Sequence, residues 1–179
     1  STIFISDERD ALLDTGGGLL KAAPFFSKEE CFITLNADIL TNLHLGKLIE
    51  FHERRQPLIS FGVTNRNSSR VLLFDGGNRL CGWRNVGTGE ERISRNGENN
   101  ALEPLSSKGL IAKAYSCVAV FDSSIFNLMV GYGFSGKFSL TDVYLKLADH
   151  LILGYDHSGD AFVDVGKPES VAVAEGMFP

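Results

Sequence analysis

The chain has 179 residues, enough for one domain with its own core and too few for two large ones. Apolar residues make up 44% and charged residues 22%, ordinary values for a soluble globular protein. The net charge of −5 excludes a broad basic surface for nucleic acid, and no apolar stretch reaches the length of a membrane span, so neither partner is expected. Cys31, Cys81 and Cys117 lack metal-type spacing. Cys31 and Cys117 sit in apolar runs and read as buried thiols in a reducing cytoplasm. No basic segment followed by an apolar one opens the sequence, which agrees with a cytoplasmic protein.

In chain order, residues 2–5 read as a short β run. The glycine-rich turn Asp14-Thr15-Gly16-Gly17-Gly18 leads into a helix over 19–23 that Pro24 stops. Residues 31–35 read as a fully buried strand. A helix over 43–55 follows, capped by Thr41 or Asn42, with Leu45, Leu48, Ile49 and His52 at helical spacing. Residues 58–64 form a strand and 65–69 a polar loop. Strands over 71–74 and 80–83 flank Asp75-Gly76-Gly77-Asn78, a hairpin turn. Residues 85–100 are polar and aperiodic and read as a mobile loop. The longest strand covers 111–121. Ser123 or Ser124 caps a short helix to 130, and Ser139 with Asp142 forms a capping box for a helix to 151. Short strands over 153–155 and 162–163 precede a last helix opened by Pro168 and running through 174. The alternation predicts an α/β fold with a mostly parallel sheet interrupted by a hairpin.

Two aspartates carry the chemistry. Asp38 in FITLNADILT and Asp164 in AFVDVGKPES each end an apolar run. Such runs read as strands that stop at the mouth of a cleft, and carboxylates far apart in sequence meet at the carboxyl edge of one sheet, where open α/β sheets bind ligands. A carboxylate pair there suits Mg²⁺, which shares oxygen ligands with substrate phosphates. Each has a plainer reading: Asp38 organises the turn before a helix, and Asp164 ends a strand. The three glycines 16–18 either let the backbone approach a flat or phosphorylated ligand or make a tight turn. Lys167 and Glu169 lie at a helix start, where the helix dipole alone accounts for Glu169. Trp83 closes a hairpin strand and either stacks on a ligand or packs. The four histidines, His44, His52, His150 and His157, show no zinc spacing. No nucleophile elbow, Walker loop or dinucleotide fingerprint occurs.

Taken in order, ISDERDALLDTGGGLLKAAPFF, FITLNADILT, SRVLLFDGGNRLCGW, AYSCVAVF, GKFSLTDVYLKLA and FVDVGKPESVAVAE resemble the sugar-phosphate nucleotidylyltransferases over nearly the whole chain. The pattern is nearest to N-acetylmuramate 1-phosphate uridylyltransferase-like and mannose-1-phosphate guanylyltransferase-like bacterial enzymes. The resemblance implies an α/β, Rossmann-like mixed sheet of the nucleotide-diphosphosugar transferase type, in a single domain over residues 1–179. It implies the reaction of a nucleoside triphosphate with a sugar 1-phosphate to give an NDP-sugar and pyrophosphate. Asp38 and Asp164 would be the catalytic carboxylates and the Mg²⁺ ligands. Thr15, Gly16 and Gly17 would face the nucleotide. Asn36 and Ser116 would lie in the sugar pocket, with Cys117 where relatives commonly carry glycine. The family opens with a Gly-x-Gly-Thr-Arg loop and a Pro-Lys-Pro segment, neither of which occurs here. The resemblance therefore implies an N-terminally truncated domain, inactive alone, whose open sheet edge a homodimer or a complementing N-terminal chain covers. The alternative is a non-catalytic module of the same fold that binds an NDP-sugar or serves as an interaction subunit.

Overall fold

A computed structural model of the chain describes residues 2–95, 105–166 and 168–177. Its elements are α1 (Asp14–Ala22), a 3-10 turn (Ala23–Phe26), β1 (Cys31–Leu35), β2 (Ile39–Thr41), α2 (Leu45–Arg55), β3 (Ile59–Thr64), β4 (Arg70–Phe74), β5 (Leu80–Asn85) and β6 (Glu91–Ile93). There follow β7 (Ile111–Asp122), α3 (Ile125–Gly131), α4 (Leu140–Lys146), β8 (Ile152–Asp156), β9 (Phe162–Asp164) and α5 (Pro168–Met177). Strands β6-β5-β4-β7-β3-β8 form one sheet in that order, with β1 also on β7, and β2 pairs β9 in a separate two-stranded sheet.

The fold is the expected α/β with a mixed sheet, but the expected parallel majority is not there. Only β3 and β8 run parallel. The reason is the long central strand β7, which runs against β1, β3 and β4 alike. β3 is buried at all six positions because helices cover both faces of the sheet. On one face Ala119 and Phe121 join α1, α3 and α4 in a core built around Phe61, Phe74, Ile125, Met129 and Leu147. On the other, Val118 and Val120 pack against Leu48 of α2. His52 of α2 lies under the same face, its Nδ1 2.9 Å from Ser60 Oγ.

Several expectations are corrected. Residues 2–5 form no strand. Ile3 and Ile5 are 85% and 81% exposed, because no neighbouring strand offers them a ladder. The glycines 16–18 lie inside α1, not in a turn before it. Close contact with the segment before α4 explains Gly16 and Gly17, and the Glu8 carboxylate lies against Gly18. A Cβ on Gly17 would fall 2.2 Å from the Gly136 carbonyl, and one on Gly16 would fall 2.5 Å from the Phe138 ring. α1 ends at Ala22, ahead of Pro24 as expected, and Pro24 sits in the first turn of the 3-10 segment that follows.

β1 is half-buried, not fully buried. Among the described residues its outer edge has no partner strand, and Leu35 is 51% exposed. His44 caps α2, its ring Nδ1 accepting from the Lys47 N–H. Thr41 and Asn42 instead tie β2 to the residue just before β9: Thr41 Oγ1 donates to the Ala161 carbonyl at 2.8 Å, and Asn42 Oδ1 accepts the Ala161 N–H at 2.7 Å.

The hairpin of β4 and β5 forms as read, with Asp75 Oδ1 accepting the Gly77 and Arg79 N–H groups. The expected loop over 85–100 contains β6, paired with β5. Its residues 96–100 lie outside the described residues, as does Lys167. Ser139 caps α4 by accepting the Asp142 N–H, but α4 ends at Lys146, short of 151. The three cysteines are free thiols. No helix among the described residues is long and apolar enough to cross a membrane.

Candidate active site

A cavity of about 700 Å³ opens where the ladders on β7 give out. β4 pairs with β7 as far as Lys113, and β1 begins only at Val118. Between them Tyr115 and Cys117 form the floor. Thr34 and Asn36 line one wall, Val71, Leu72 and Trp83 another, and Thr15, Leu140 and Tyr144 a third. The volume is that of a small-molecule site, and Leu19, Val71, Leu72, Trp83 and Leu140 are the apolar part of a lining that is otherwise polar.

β2 and β9 bring the two predicted aspartates together. Ile39 pairs with Asp164 in the antiparallel register, and the Val165 N–H donates to the Asp38 carbonyl at 2.8 Å. Asp38 Oδ2 and Asp164 Oδ1 each lie 3.1 Å from the point where a Cβ on Gly166 would sit, so the two oxygens are at most twice that distance apart. Both residues are exposed, and Asp164 lines the cavity. The Asp38 carboxylate accepts no hydrogen bond among the described residues, so it does not organise its turn. Asp164 Oδ1 accepts the Gly166 N–H at 2.9 Å. Neither carboxylate has a cationic partner within ion-pair distance among the described residues. No group of three or more metal-ligating side chains occurs among them either. Two free carboxylates suit Mg²⁺, which completes its shell with water and phosphate oxygens.

The remaining predicted residues divide. Thr15 and Asn36 line the cavity. Gly16 and Gly17 are buried, and both of their N–H groups donate to the Phe138 carbonyl, which leaves neither amide for a nucleotide. Ser116 is fully buried and turned away: its hydroxyl lies 2.8 Å from Nε2 of His157, beneath the sheet. Its neighbour Cys117 lines the cavity in its place. Alternation along β7 accounts for this: Cys117 shares its face with Tyr115, Ala119 and Phe121, and Ser116 shares the opposite face with Val118 and Val120.

Cys117 sits at φ 56°, in the left-handed region that favours glycine, and its carbonyl accepts the Asn36 N–H at 3.1 Å. Cys117→Gly should therefore stabilise the fold by about 0.5 kcal/mol after the entropy of glycine is counted, raising Tm by about 1–2 °C in calorimetry. A lower Tm would contradict the strain.

Burial holds the imidazoles of His52 and His157 below the ordinary histidine value, in His157 against the pull of Asp160. Both are therefore neutral in the fold where the unfolded chain would take up protons. Stability should be complete above about pH 6.5 and fall below it, with a slope approaching about 1.4 kcal/mol per pH unit for each histidine. His157→Gln should remove part of that slope in melts between pH 8 and 5. A flat profile for the natural chain would refute the assignment.

Arg66, Tyr115 and Tyr144 are cavity residues that sequence reading passed over. The phenols of Tyr115 and Tyr144, with ring centroids 6.4 Å apart, are pushed up by burial and stay neutral. The Arg66 guanidinium lies 4.1 Å over the Phe162 ring, and its Nη2 donates to the Tyr115 carbonyl at 2.7 Å. One signal for Arg66 was available: a cation just past the end of a buried strand, on the edge that carries the aspartates.

No protein-family model matches the sequence, and no curated protein is similar to it at the level of sequence. Solved structures are similar in three dimensions. HddC from Yersinia pseudotuberculosis matches with a TM-score of 0.68 at 17% identity, over 96% of this chain and 65% of its own. A second structure of HddC, in complex with GMP-PN, matches with a TM-score of 0.65 at 16% identity, over the same shares of the two chains. A putative glucose-1-phosphate thymidylyltransferase from Bacillus anthracis matches with a TM-score of 0.65 at 12% identity, over 89% of this chain and 58% of its own. The chain has the nucleotidyltransferase fold. The inositol-1-phosphate CTP transferase from T. maritima is similar as well, with a TM-score of 0.63 at 16% identity over 92% of this chain and 61% of its own. The chain thus spans less than two thirds of the length of these neighbours.

Proposed function

We propose that the chain carries the sugar-phosphate side of a Mg²⁺-dependent sugar-1-phosphate nucleotidylyltransferase, which joins a nucleoside triphosphate and a sugar 1-phosphate into an NDP-sugar and releases pyrophosphate. The observation that carries this reading is the convergence of Asp38 and Asp164 around Gly166, beside a cavity of about 700 Å³, in a chain with the nucleotidyltransferase fold. Asp38 and Asp164 would hold the ion. When bound, it would neutralise charge on the non-bridging oxygens of the α-phosphate, the main need in phosphoryl transfer. Asn36 and Thr34 present hydrogen-bonding groups to the sugar, while Leu19, Trp83, Leu140 and Tyr144 form an apolar wall that keeps water out. Thr15 closes the side toward α4, its Oγ1 accepting the Leu140 N–H at 3.0 Å.

The test is calorimetry of UDP- and GDP-sugars with and without Mg²⁺, paired with turnover of nucleoside triphosphates against a panel of sugar 1-phosphates. Mg²⁺-dependent binding is the expected result, with pyrophosphate release only in a protein that also supplies the Gly-x-Gly-Thr-Arg loop. Mg²⁺-independent binding without turnover would assign the chain to the non-catalytic module instead, and no binding at all would overturn both readings.

A further inference from the structure

Arg66 lacks the compensation that the fold gives to other partly buried cations. Arg95 pairs with Asp75 at 3.0 Å, and Lys113 pairs with Asp156. Among the described residues Arg66 has no carboxylate partner within ion-pair distance. Its contacts are neutral: the Tyr115 carbonyl and the face of Phe162. Its Nε is buried without a hydrogen-bond partner. A desolvated cation left unpaired is costly, and the cost is relieved when a ligand brings the missing anion. The position fits such a ligand. Arg66 lines the same cavity as Asp164, and Phe162, on which it rests, is two residues before Asp164 on β9. The fork is thereby fixed beside the carboxylate pair. Burial also pushes its pKa below the usual arginine value, against the pull of Cys117 and Asp164.

We propose that Arg66 is the anion anchor of this cavity and binds a phosphate group of the substrate. The planar guanidinium suits a phosphate better than a point charge does. The identity of that anion rests on the proposed function, and the phosphate comes either from the sugar 1-phosphate or from the nucleoside triphosphate.

The experiment titrates glucose 1-phosphate, UTP and neutral glucose into the natural chain, Arg66→Met and Arg66→Lys, with Mg²⁺ present, and records Tm without ligand. Arg66→Met keeps an unbranched stem over Phe162 and removes the charge. Its Tm should match or exceed that of the natural chain, because an unpaired charge has gone. Its affinity for glucose 1-phosphate should fall about 10- to 100-fold, while glucose is unaffected. Arg66→Lys should show a smaller fall. A loss confined to UTP would assign the anchored phosphate to the nucleotide and still support the anchor. Unchanged affinity for both phosphates in Arg66→Met would overturn it, as would equal losses for glucose and glucose 1-phosphate. A natural chain that binds neither phosphate would do the same. If Arg66→Met fails to fold, Arg66→Lys decides by the same comparison. Arg66-dependent phosphate binding that is unchanged when Mg²⁺ is withheld would sink the proposed function and leave the anchor standing. Mg²⁺-dependent binding of equal strength in the natural chain and the variants would do the reverse.

Discussion

With the Gly-x-Gly-Thr-Arg loop supplied, Asp164→Asn is expected to cut Mg²⁺-dependent turnover about 1000-fold while leaving the fold intact. The size follows from the several kcal/mol that a metal ion contributes to charge neutralisation in phosphoryl transfer. The fold should survive because the side chain is exposed, and asparagine keeps an oxygen to accept the Gly166 N–H. Two unpaired carboxylates converging around Gly166 also repel each other, so removing one charge should leave Tm without metal unchanged or slightly higher. Mg²⁺ should raise the Tm of the natural chain and not that of the variant, which separates ion binding from chemistry. A variant whose melting responds to Mg²⁺ like the natural chain would remove Asp164 from the metal site, whatever its turnover.

The largest loss of stability is expected from Phe121→Ala, at about 3–5 kcal/mol. Phe121 is fully buried on β7. Its ring stacks on Phe32 of β1 at 5.3 Å and tilts against Tyr144 of α4 at 6.3 Å. Phe32 continues the stack to Phe26 at 4.3 Å and to Phe126 of α3 at 5.2 Å. Alanine would leave a cavity where β1, β7, α3 and α4 meet, and rigid strands on either side would keep it from collapsing. Guanidinium melts should show the loss as a lower midpoint at unchanged slope. A loss below about 1.5 kcal/mol would mean that the aromatic stack does not hold these elements together.

Much of the fold was legible because its signals are local. The turn Asp75-Gly76-Gly77-Asn78 imposes its own geometry, and the hairpin formed as read. The strand Cys31–Leu35 and the cap Ser139 also lie where their patterns placed them. The misses share one cause: they depend on neighbours that sequence does not display. Residues 2–5 have a strand composition and no strand beside them. Glycines 16–18 carry a turn composition, yet they lie in a helix, where Gly136 and Phe138 leave no room for a side chain at Gly16 and Gly17. His44 took the cap that Thr41 and Asn42 suggested, since those side chains were drawn to Ala161, more than a hundred residues away.

The site divides in the same way. That Asp38 and Asp164 each end an apolar run was plain from composition alone. That their oxygens converge around Gly166 follows from the pairing of β2 with β9, a contact between segments far apart in the chain. Ser116 and Cys117 show the limit most sharply. Strand alternation says that neighbours face opposite ways but not which face meets the ligand, and the packing of the sheet put the face of Cys117 on the cavity and that of Ser116 on His157. The amino-acid sequence by itself determined the hairpin turn, the main strands and the cap at Ser139, because those preferences are settled within a few residues. Only the tertiary structure decided the direction of the sheet, the side chains that line the cavity and the unpaired charge of Arg66, because register, burial and compensation are properties of contacts between distant segments.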